Sequence, residues 1–574
     1  MIPRRVRIAA LLAFALHGFL ILSAQYQFSF DAYTHMFFGD HYRLDWWTLW
    51  EPRWYTGFPV TSYPPLVHQL IGLLGHLMGV DAAFAALLWA TLTAYPLAVY
   101  AFSRVFVGRI AAGYAALGTA VLPSVYLAAH AFGQLPTLTA TLFALFGIAA
   151  LAEFLRRGDR VSGALALALF TVVMAAHHAT LLFLPWATAG LVIHLFFHEK
   201  IDKGRLFLRL VVFLPLAVVA GLAVIWPFWA WGQGQDIQTP IDHPTRHNFL
   251  KDSFAVIAFF LPVYGPLMAL IPFALWKGLQ RRYSGLGIAF AALFVLGLGG
   301  TTPLPRILFG AGWEWLTYDR FAFWASLLLL PFFGVALPLV LRRLPKYFGL
   351  KIRFRFPKVE IKRRSANSWP PVKMGLPRRL VSISVFVLMS IIAATVGMLA
   401  TLMPFEPAKI DMQPIVGFLA RKNHAQWRYL TFGFGDQLAY LSRLTNATTI
   451  DGSYHTVRPL PELRESGIAQ IDTAFWTIKG VRALNPILKK SGEHGVRWGF
   501  LSLPVYIPVL KQNGWVKLTT LDNGIQVWEN PSARLPEPAQ APPSDPLASF
   551  SWGVLPLLSL TIAAALAAMR LRPV

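Results

Sequence analysis

The sequence predicts a polytopic α-helical membrane protein: about 12 transmembrane helices, a juxtamembrane helix in the first outer loop, and a small α/β soluble domain on the non-cytoplasmic side. Three observations lead there. Of the 574 residues, 56% are hydrophobic and 14% charged, a balance that ordinary soluble domains do not reach. Several stretches of about 18 to 24 residues carry almost no charge, the length a helix needs to cross roughly 30 Å of hydrocarbon. One long stretch, 403–547, is instead moderately polar and nearly charge-balanced.

The formal net charge of +24 would suggest nucleic acid in a soluble protein, but its placement argues otherwise. From Arg342 to Arg379 there are thirteen Lys or Arg against the single acid Glu360. This run lies between two apolar spans, the pattern of a cytoplasmic loop beside anionic lipid headgroups. Membrane lipids are therefore the expected partners and nucleic acid is not. The chain has no cysteine, which excludes disulfides and thiolate metal sites.

The first span, 8–24, follows Arg4, Arg5 and Arg7, which places the N-terminus inside. Leu22-Ser23-Ala24 is a poor cleavage site, so a retained signal-anchor is expected. The segment 64–80 is apolar but short, and His68, Gln69 and His76 interrupt it. If it crossed, Arg104, Arg109, Arg156, Arg157, Arg160, Lys200, Lys203, Arg281 and Arg282 would all fall outside. Laid along the interface, it puts every one of those loops inside. The spans then run approximately 82–102, 110–129, 137–154, 161–176, 181–197, 208–231, 254–276, 286–298, 321–341, 380–402 and 552–569. Both termini become cytoplasmic, in a multi-pass protein of the plasma membrane.

This threading divides the chain into a membrane domain, 1–402, an extracytoplasmic α/β domain, 403–547, and a C-terminal helix and tail, 548–574. The first outer loop occupies 26–81 and the basic cytoplasmic loop 342–379. Within the soluble domain, 427–434 and 515–521 alternate as strands do, and 436–444 reads as a helix. Gly433-Phe434-Gly435 is a strand-to-helix turn rather than a dinucleotide fingerprint, because Leu438 stands where a third glycine would be. The stretch 531–546, rich in Pro and Ala, reads as a linker.

On this topology the unusual residues collect on the outer face. Residues 30–66 read FDAYTHMFFGDHYRLDWWTLWEPRWYTGFPVTSYPPL. Asp31 and His35 share a face if that segment is helical, and Asp40 and His41 follow. Carboxylates at a membrane boundary are costly unless used or solvated. Asp31 reads either as a reactive carboxylate or as the cap of the next helix; Asp40 reads equally as a turn residue.

The Asp just past the first span, Trp50-Glu51-Pro52-Arg53-Trp54-Tyr55-Thr56-Gly57, and Tyr63-Pro64-Pro65-Leu66 together resemble the GT-C glycosyltransferase superfamily. More narrowly, the chain is similar to the membrane proteins labelled 6-pyruvoyl-tetrahydropterin synthase-related, a label that implies no pterin chemistry. Gly133-Gln134-Leu135-Pro136, Tyr318-Asp319-Arg320-Phe321 and Asp451-Gly452-Ser453-Tyr454-His455 extend the resemblance over most of the chain. It implies transfer of a sugar from a polyprenyl-phosphate-linked donor to a glycan, lipid or protein acceptor. It also maps the superfamily's first-loop Asp, the general base, onto Asp31.

Such a reaction needs a base for the acceptor hydroxyl and cations or donors for the departing phosphate. Asp40 is a second catalytic candidate. Arg320, at the mouth of a span, carries a donor fork suited to phosphate. Arg53 stands between Trp50 and Trp54 and could stack there. His35, His130, Gln134, His177 and His178 are candidates for sugar or phosphate. Asp31, Asp40 and His35 could together hold a divalent cation, although no closed zinc spacing is present. No Asp-x-Asp follows the first span, which leaves metal dependence open, and no Trp-Trp-Asp occurs in the soluble domain, which argues against transfer to Asn sequons. Two other readings stand beside the transferase: a non-catalytic scaffold or receptor that binds through its outer domain, and a lipid or solute transporter. The ionisable residues lie at span ends rather than at mid-membrane, which favours surface chemistry over passage.

Overall fold

Apolar stretches with no polar stripe have nothing to turn toward water, and in the computed structural model they become long helices packed side by side. The structure describes residues 2–347, 378–402, 407–421, 423–477, 479–537, 540–543 and 545–571; most of the basic loop 342–379 lies outside the described residues. Among the described residues eight helices are long and apolar enough to span: Arg4–Leu22, Val80–Phe106, Leu135–Arg157, His178–His198, Lys203–Val224, Ser253–Gly278, Asp319–Val340 and Pro546–Arg570. The pair Arg109–Thr119 and Pro123–Ala131, bent by 41°, passes the same test only when its two pieces are taken together. Pro123 opens its second piece, where a missing N–H interrupts the helical ladder.

This is fewer than the twelve crossings read from the sequence. The expected spans at 161–176 and 286–298 become Arg160–Ala176, 17 residues, and Ser284–Gly297, 14 residues. At about 1.5 Å per residue they reach about 26 Å and 21 Å, short of a full bilayer core. Apolar composition marked both as helices. The expected span 380–402, which follows the basic loop, is a helix over Arg378–Gly397 continued by Leu399–Leu402.

Two helices of the first loop stand apart from the long ones. We label Arg4–Leu22 α1, Ala32–Leu44 α2, Leu66–Met78 α3 and Val80–Phe106 α4. Both α2 and α3 have 13 residues, about 20 Å, too short to cross. They pack on each other through glycines: a Cβ on Gly39 would lie 2.4 Å from Ile71, and one on Gly72 would lie 3.0 Å from the Gly39 carbonyl. Between them a hairpin pairs β1, Trp50–Glu51, with β2, Phe58–Pro59. Its turn requires left-handed backbone at Tyr55, Thr56 and Gly57. Gly57 is obligatory there, since a Cβ would fall 2.3 Å from the Trp50 ring.

Past the membrane helices the chain builds a four-stranded mixed sheet in the order β3-β4-β6-β5, with β3 Arg428–Phe432, β4 Val496–Leu501, β5 Val516–Thr520 and β6 Gln526–Glu529. β3 runs parallel to β4, and β6 antiparallel to both β4 and β5. Tyr429, Trp498, Phe500, Val527, Leu438 and Ile415 form its core. After β3 the Gly433-Phe434-Gly435 turn leads into the helix Gln437–Leu444. The buried Asp472 carboxylate accepts the N–H groups of Phe434 and Gly435 there, at 2.8 Å and 2.6 Å.

This sheet domain sits directly on the first loop. Its helix Gln437–Leu444 packs against α2. The Trp54 indole donates to Ser442 Oγ at 2.9 Å, and the Tyr454 hydroxyl donates to the Ser62 carbonyl at 2.9 Å. The Tyr55 hydroxyl donates to the Gly452 carbonyl. Gly452 has no room for a side chain, because a Cβ would come 2.8 Å from both Trp54 and Tyr55.

Candidate active site

Asp31 is held by its backbone rather than by its side chain. Its N–H donates to the Phe132 carbonyl at 3.1 Å, and that of Phe30 to Ala131 at 3.2 Å. The next residue explains the 133–136 motif: Gly133 has φ +69°, and a Cβ there would lie 2.4 Å from Ser29 Oγ and 2.6 Å from the Ala32 nitrogen. Only glycine lets that loop approach the start of α2 so closely.

Asp31 occupies the N-cap position of α2, yet its side chain makes no capping bond. The carboxylate is half-buried and within electrostatic reach of Arg320 and Asp319. Burial raises it to about 6; Arg320 opposes that rise and Asp319 adds to it. A carboxylate so placed is ionised at neutral pH, but more basic than an exposed one.

Arg320 is the second residue of the helix Asp319–Tyr347. Its guanidinium donates to the Thr317 hydroxyl. Its buried Nε has no hydrogen-bond partner among the described residues, and neither does Asp319 Oδ1. A buried charged donor without an acceptor is costly unless a ligand supplies one.

Around these charges stands a wall of rings centred on Tyr63. Ring centres lie 5.1 Å away for His68, 5.4 Å for Tyr454, 5.9 Å for His35, 6.1 Å for His178 and 6.2 Å for His177. His35 Nδ1 and His68 Nε2 are hydrogen-bonded at 3.1 Å. Burial, reinforced by Arg320, pushes His35 down to about 3. Burial also lowers His243 to about 4 and His455 to about 3. These imidazoles are therefore neutral near pH 7, able to donate or accept hydrogen bonds without adding charge. His177 is hydrogen-bonded to Thr180 at 2.9 Å, whereas His178 Nδ1 has no partner among the described residues.

The remaining residues singled out in the sequence are placed differently. Asp40 and Arg53 belong to a buried ion network. Arg53 reaches Asp40 at 2.8 Å and both oxygens of Glu51 at 2.8 Å and 2.7 Å, while Arg43 takes the other Asp40 oxygen at 2.8 Å. Arg53 does stack on an aromatic ring, but on Phe37, 4.3 Å away, rather than on Trp50 or Trp54. Phe37 in turn stacks on Trp54 at 3.8 Å. Burial alone would raise Glu51, but Arg53 and then His41 hold it down at about 2. Arg53→Met is expected to cost about 3 kcal/mol, because it removes the arginine shared by two buried carboxylates and leaves Asp40 to Arg43 and Glu51 to His41; thermal unfolding of the purified protein measures the loss.

His130 is buried against α1, with Nε2 3.0 Å from His17 Nδ1, rather than gathered with the other histidines. Gln134 opens the helix Leu135–Arg157 two residues beyond the carbonyl that holds Asp31, and its side chain is half-buried. The triad Asp31, Asp40 and His35 does not form a metal set, since Asp40 spends its oxygens on arginines; among the described residues no three His, Asp or Glu converge for a metal.

Sequence reasoning passed over Tyr63, His68, Tyr454, His243 and His455 as site residues. For Tyr63 and for Tyr454-His455 a signal existed, since both motifs were conspicuous. His243 lies in a loop with nothing to mark it, and only the folded chain brings it within electrostatic reach of Asp319 and Arg320.

The fold, a bundle of long apolar helices carrying a small sheet domain, is similar to that of several solved structures. Among solved structures, ArnT from Cupriavidus metallidurans bound to undecaprenyl phosphate matches with TM-score 0.52 at 14% identity, over 91% of this chain and 98% of that one. The Archaeoglobus fulgidus oligosaccharyltransferase matches with TM-score 0.53 at 13% identity, over 86% of this chain and 69% of that one. The arabinofuranosyltransferase AftD from Mycobacteria, in a mutant form, matches with TM-score 0.53 at 13% identity, over 94% of this chain and 42% of that one. No protein-family model and no curated protein matches the sequence, so the narrower synthase-related family is not shown.

Proposed function

We propose that this protein is a glycosyltransferase of the plasma membrane that moves a sugar from a polyprenyl-phosphate carrier to an acceptor hydroxyl at the outer face, with Asp31 as general base. The observation that carries the reading is the half-buried Asp31 carboxylate, free of hydrogen bonds to the protein among the described residues and within electrostatic reach of Arg320. Two of the similar structures hold the matching carriers, undecaprenyl phosphate in ArnT and a dolichol phosphate in the oligosaccharyltransferase AglB.

In this mechanism the acceptor attacks the anomeric carbon as its proton passes to Asp31. The bond from that carbon to the phosphate oxygen breaks, and the electron pair leaves with the polyprenyl phosphate. Arg320, whose Nε lacks a partner in the protein, takes the phosphate charge. The neutral His35, together with His68, His177, His178 and Tyr63, holds sugar hydroxyls. Gln134 and the buried network of Asp40 and Arg53 maintain the loop geometry. A divalent cation has no three-ligand set here among the described residues, so no step is assigned to one.

Purified protein in liposomes, given a radiolabelled polyprenyl-phosphate sugar and membrane acceptors, is expected to transfer label. The rate should fall below about pH 6, where Asp31 takes up a proton in the free enzyme. A scaffold would transfer nothing at any pH, and a transporter would scramble the lipid without any acceptor.

A further inference from the structure

The first turn of α2 is capped, but not by the residue at its N-cap. The two amides a capping side chain would take are those of Tyr33 and Thr34, and both donate to Oδ2 of Asp436, at 2.8 Å and 3.3 Å. The Thr34 hydroxyl adds a bond to Oδ1 at 2.6 Å. Asp436 comes from the sheet domain, immediately before the helix Gln437–Leu444. Its approach is fixed by the turn that Asp472 anchors through Phe434 and Gly435.

Asp is among the strongest N-cap residues, so Asp31 would ordinarily fold its carboxylate back onto these amides. Its backbone at φ −118°, ψ −5° is not the extended conformation of a self-capping residue. We propose that Asp436 is a positioning residue: it caps α2 in place of Asp31 and so leaves the Asp31 carboxylate free to face Arg320. The sheet domain would then be part of the catalytic apparatus, because docking it releases the base. This rests on the reading of Asp31 as base.

Without Asp436, Asp31 is the nearest acid able to take over the orphaned amides. A carboxylate accepting two backbone N–H groups is held at a lower pKa, and it is turned away from the reacting centre. The charged and titratable groups facing Asp31 are Arg320 and Asp319 from one helix, Tyr63 from the segment before α3, and Asp436 itself. Only the last is altered in the test.

Asp436→Ala is expected to lower kcat about 10- to 100-fold, the scale of a misplaced reacting group. The KM for donor and the Kd for undecaprenyl phosphate should be unchanged, and the acid limb of the pH profile should move to lower pH. Asp436→Asn should recover most of the rate, since its amide oxygen can accept the same two N–H groups. Unchanged kcat in Asp436→Ala, an unmoved acid limb, or equal losses in the Ala and Asn variants would each overturn the proposal. If Asp436→Ala fails to fold, Thr34→Val decides the matter: the same changes on a smaller scale support the proposal and an unaltered profile overturns it.

Wild-type protein that transfers nothing sinks the base assignment instead. The cap is then read from amide exchange at Tyr33 and Thr34. Faster exchange in an Asp31→Ala, Asp436→Ala double variant than in Asp436→Ala alone supports the takeover, and equal exchange in the two overturns it.

Discussion

Asp31→Asn is expected to reduce sugar transfer by about 10²–10⁴-fold, the usual contribution of a positioned general base. The substitution keeps shape and hydrogen-bonding capacity but cannot accept the acceptor's proton. Folding should survive, since the α2 amides are already capped by Asp436 and Asp31 is held through its backbone N–H. Thermal stability should even rise slightly. Burial raises Asp31 from 3.8 to about 6, so the ionised form is less favourable in the folded state than in the unfolded chain. Its contribution to stability is full below the unfolded value and is lost as pH rises through the folded one. Radiolabel transfer, together with undecaprenyl phosphate binding by the same preparation, separates chemistry from affinity. Lost transfer with intact binding is the expected pair; intact transfer would remove Asp31 from the mechanism.

Arg320→Ala should do something different, weakening the carrier as well as the reaction. Loss of a charge stabilising the leaving phosphate is expected to cost about 10²–10³-fold in kcat, with a weaker hold on undecaprenyl phosphate besides. Arg320→Lys should recover only part, because an ammonium lacks the planar fork that grips two phosphate oxygens. Arg320 also opposes the upward shift of Asp31. Its removal should therefore raise the residual activity's acid limb above about pH 6, the reverse of the shift expected for Asp436→Ala. Measuring both profiles on one assay sets the two roles apart. An Arg320→Ala protein with the wild-type limb would mean that the two side chains do not face each other in solution.

The two variants probe parts of the molecule that were unequally legible in the sequence. Asp31 stood out because a carboxylate beside a membrane span is expensive, and its loop held an unusual density of His, Trp and Arg. Asp40 and Arg53 stood out for the same reason, yet their charges are consumed by each other and by Glu51. Residue type cannot distinguish a carboxylate kept for chemistry from one paired internally, because pairing depends on which side chains the hairpin brings within reach. His130 shows the same limit: its position near a span end suggested the site, but a histidine on α1 takes its hydrogen bond.

The helical membrane architecture was determined by the sequence itself, because apolar length and charge distribution act locally, residue against lipid or water. The strand and helix at 428–444 were legible for the same reason, from alternation and a glycine turn. The lengths and bends of the apolar helices were not: Arg160–Ala176 has 17 residues, Ser284–Gly297 has 14, and the pair that meets at Pro123 is bent by 41°. Tertiary structure alone decided which charges meet. It brought Arg320 within electrostatic reach of Asp31 and Tyr63, packed Tyr63 on Tyr454, and laid Asp436 on the amides of α2. Contacts between segments so distant along the chain leave no local periodicity; they exist because docking the sheet domain onto the first loop buries groups that then need partners.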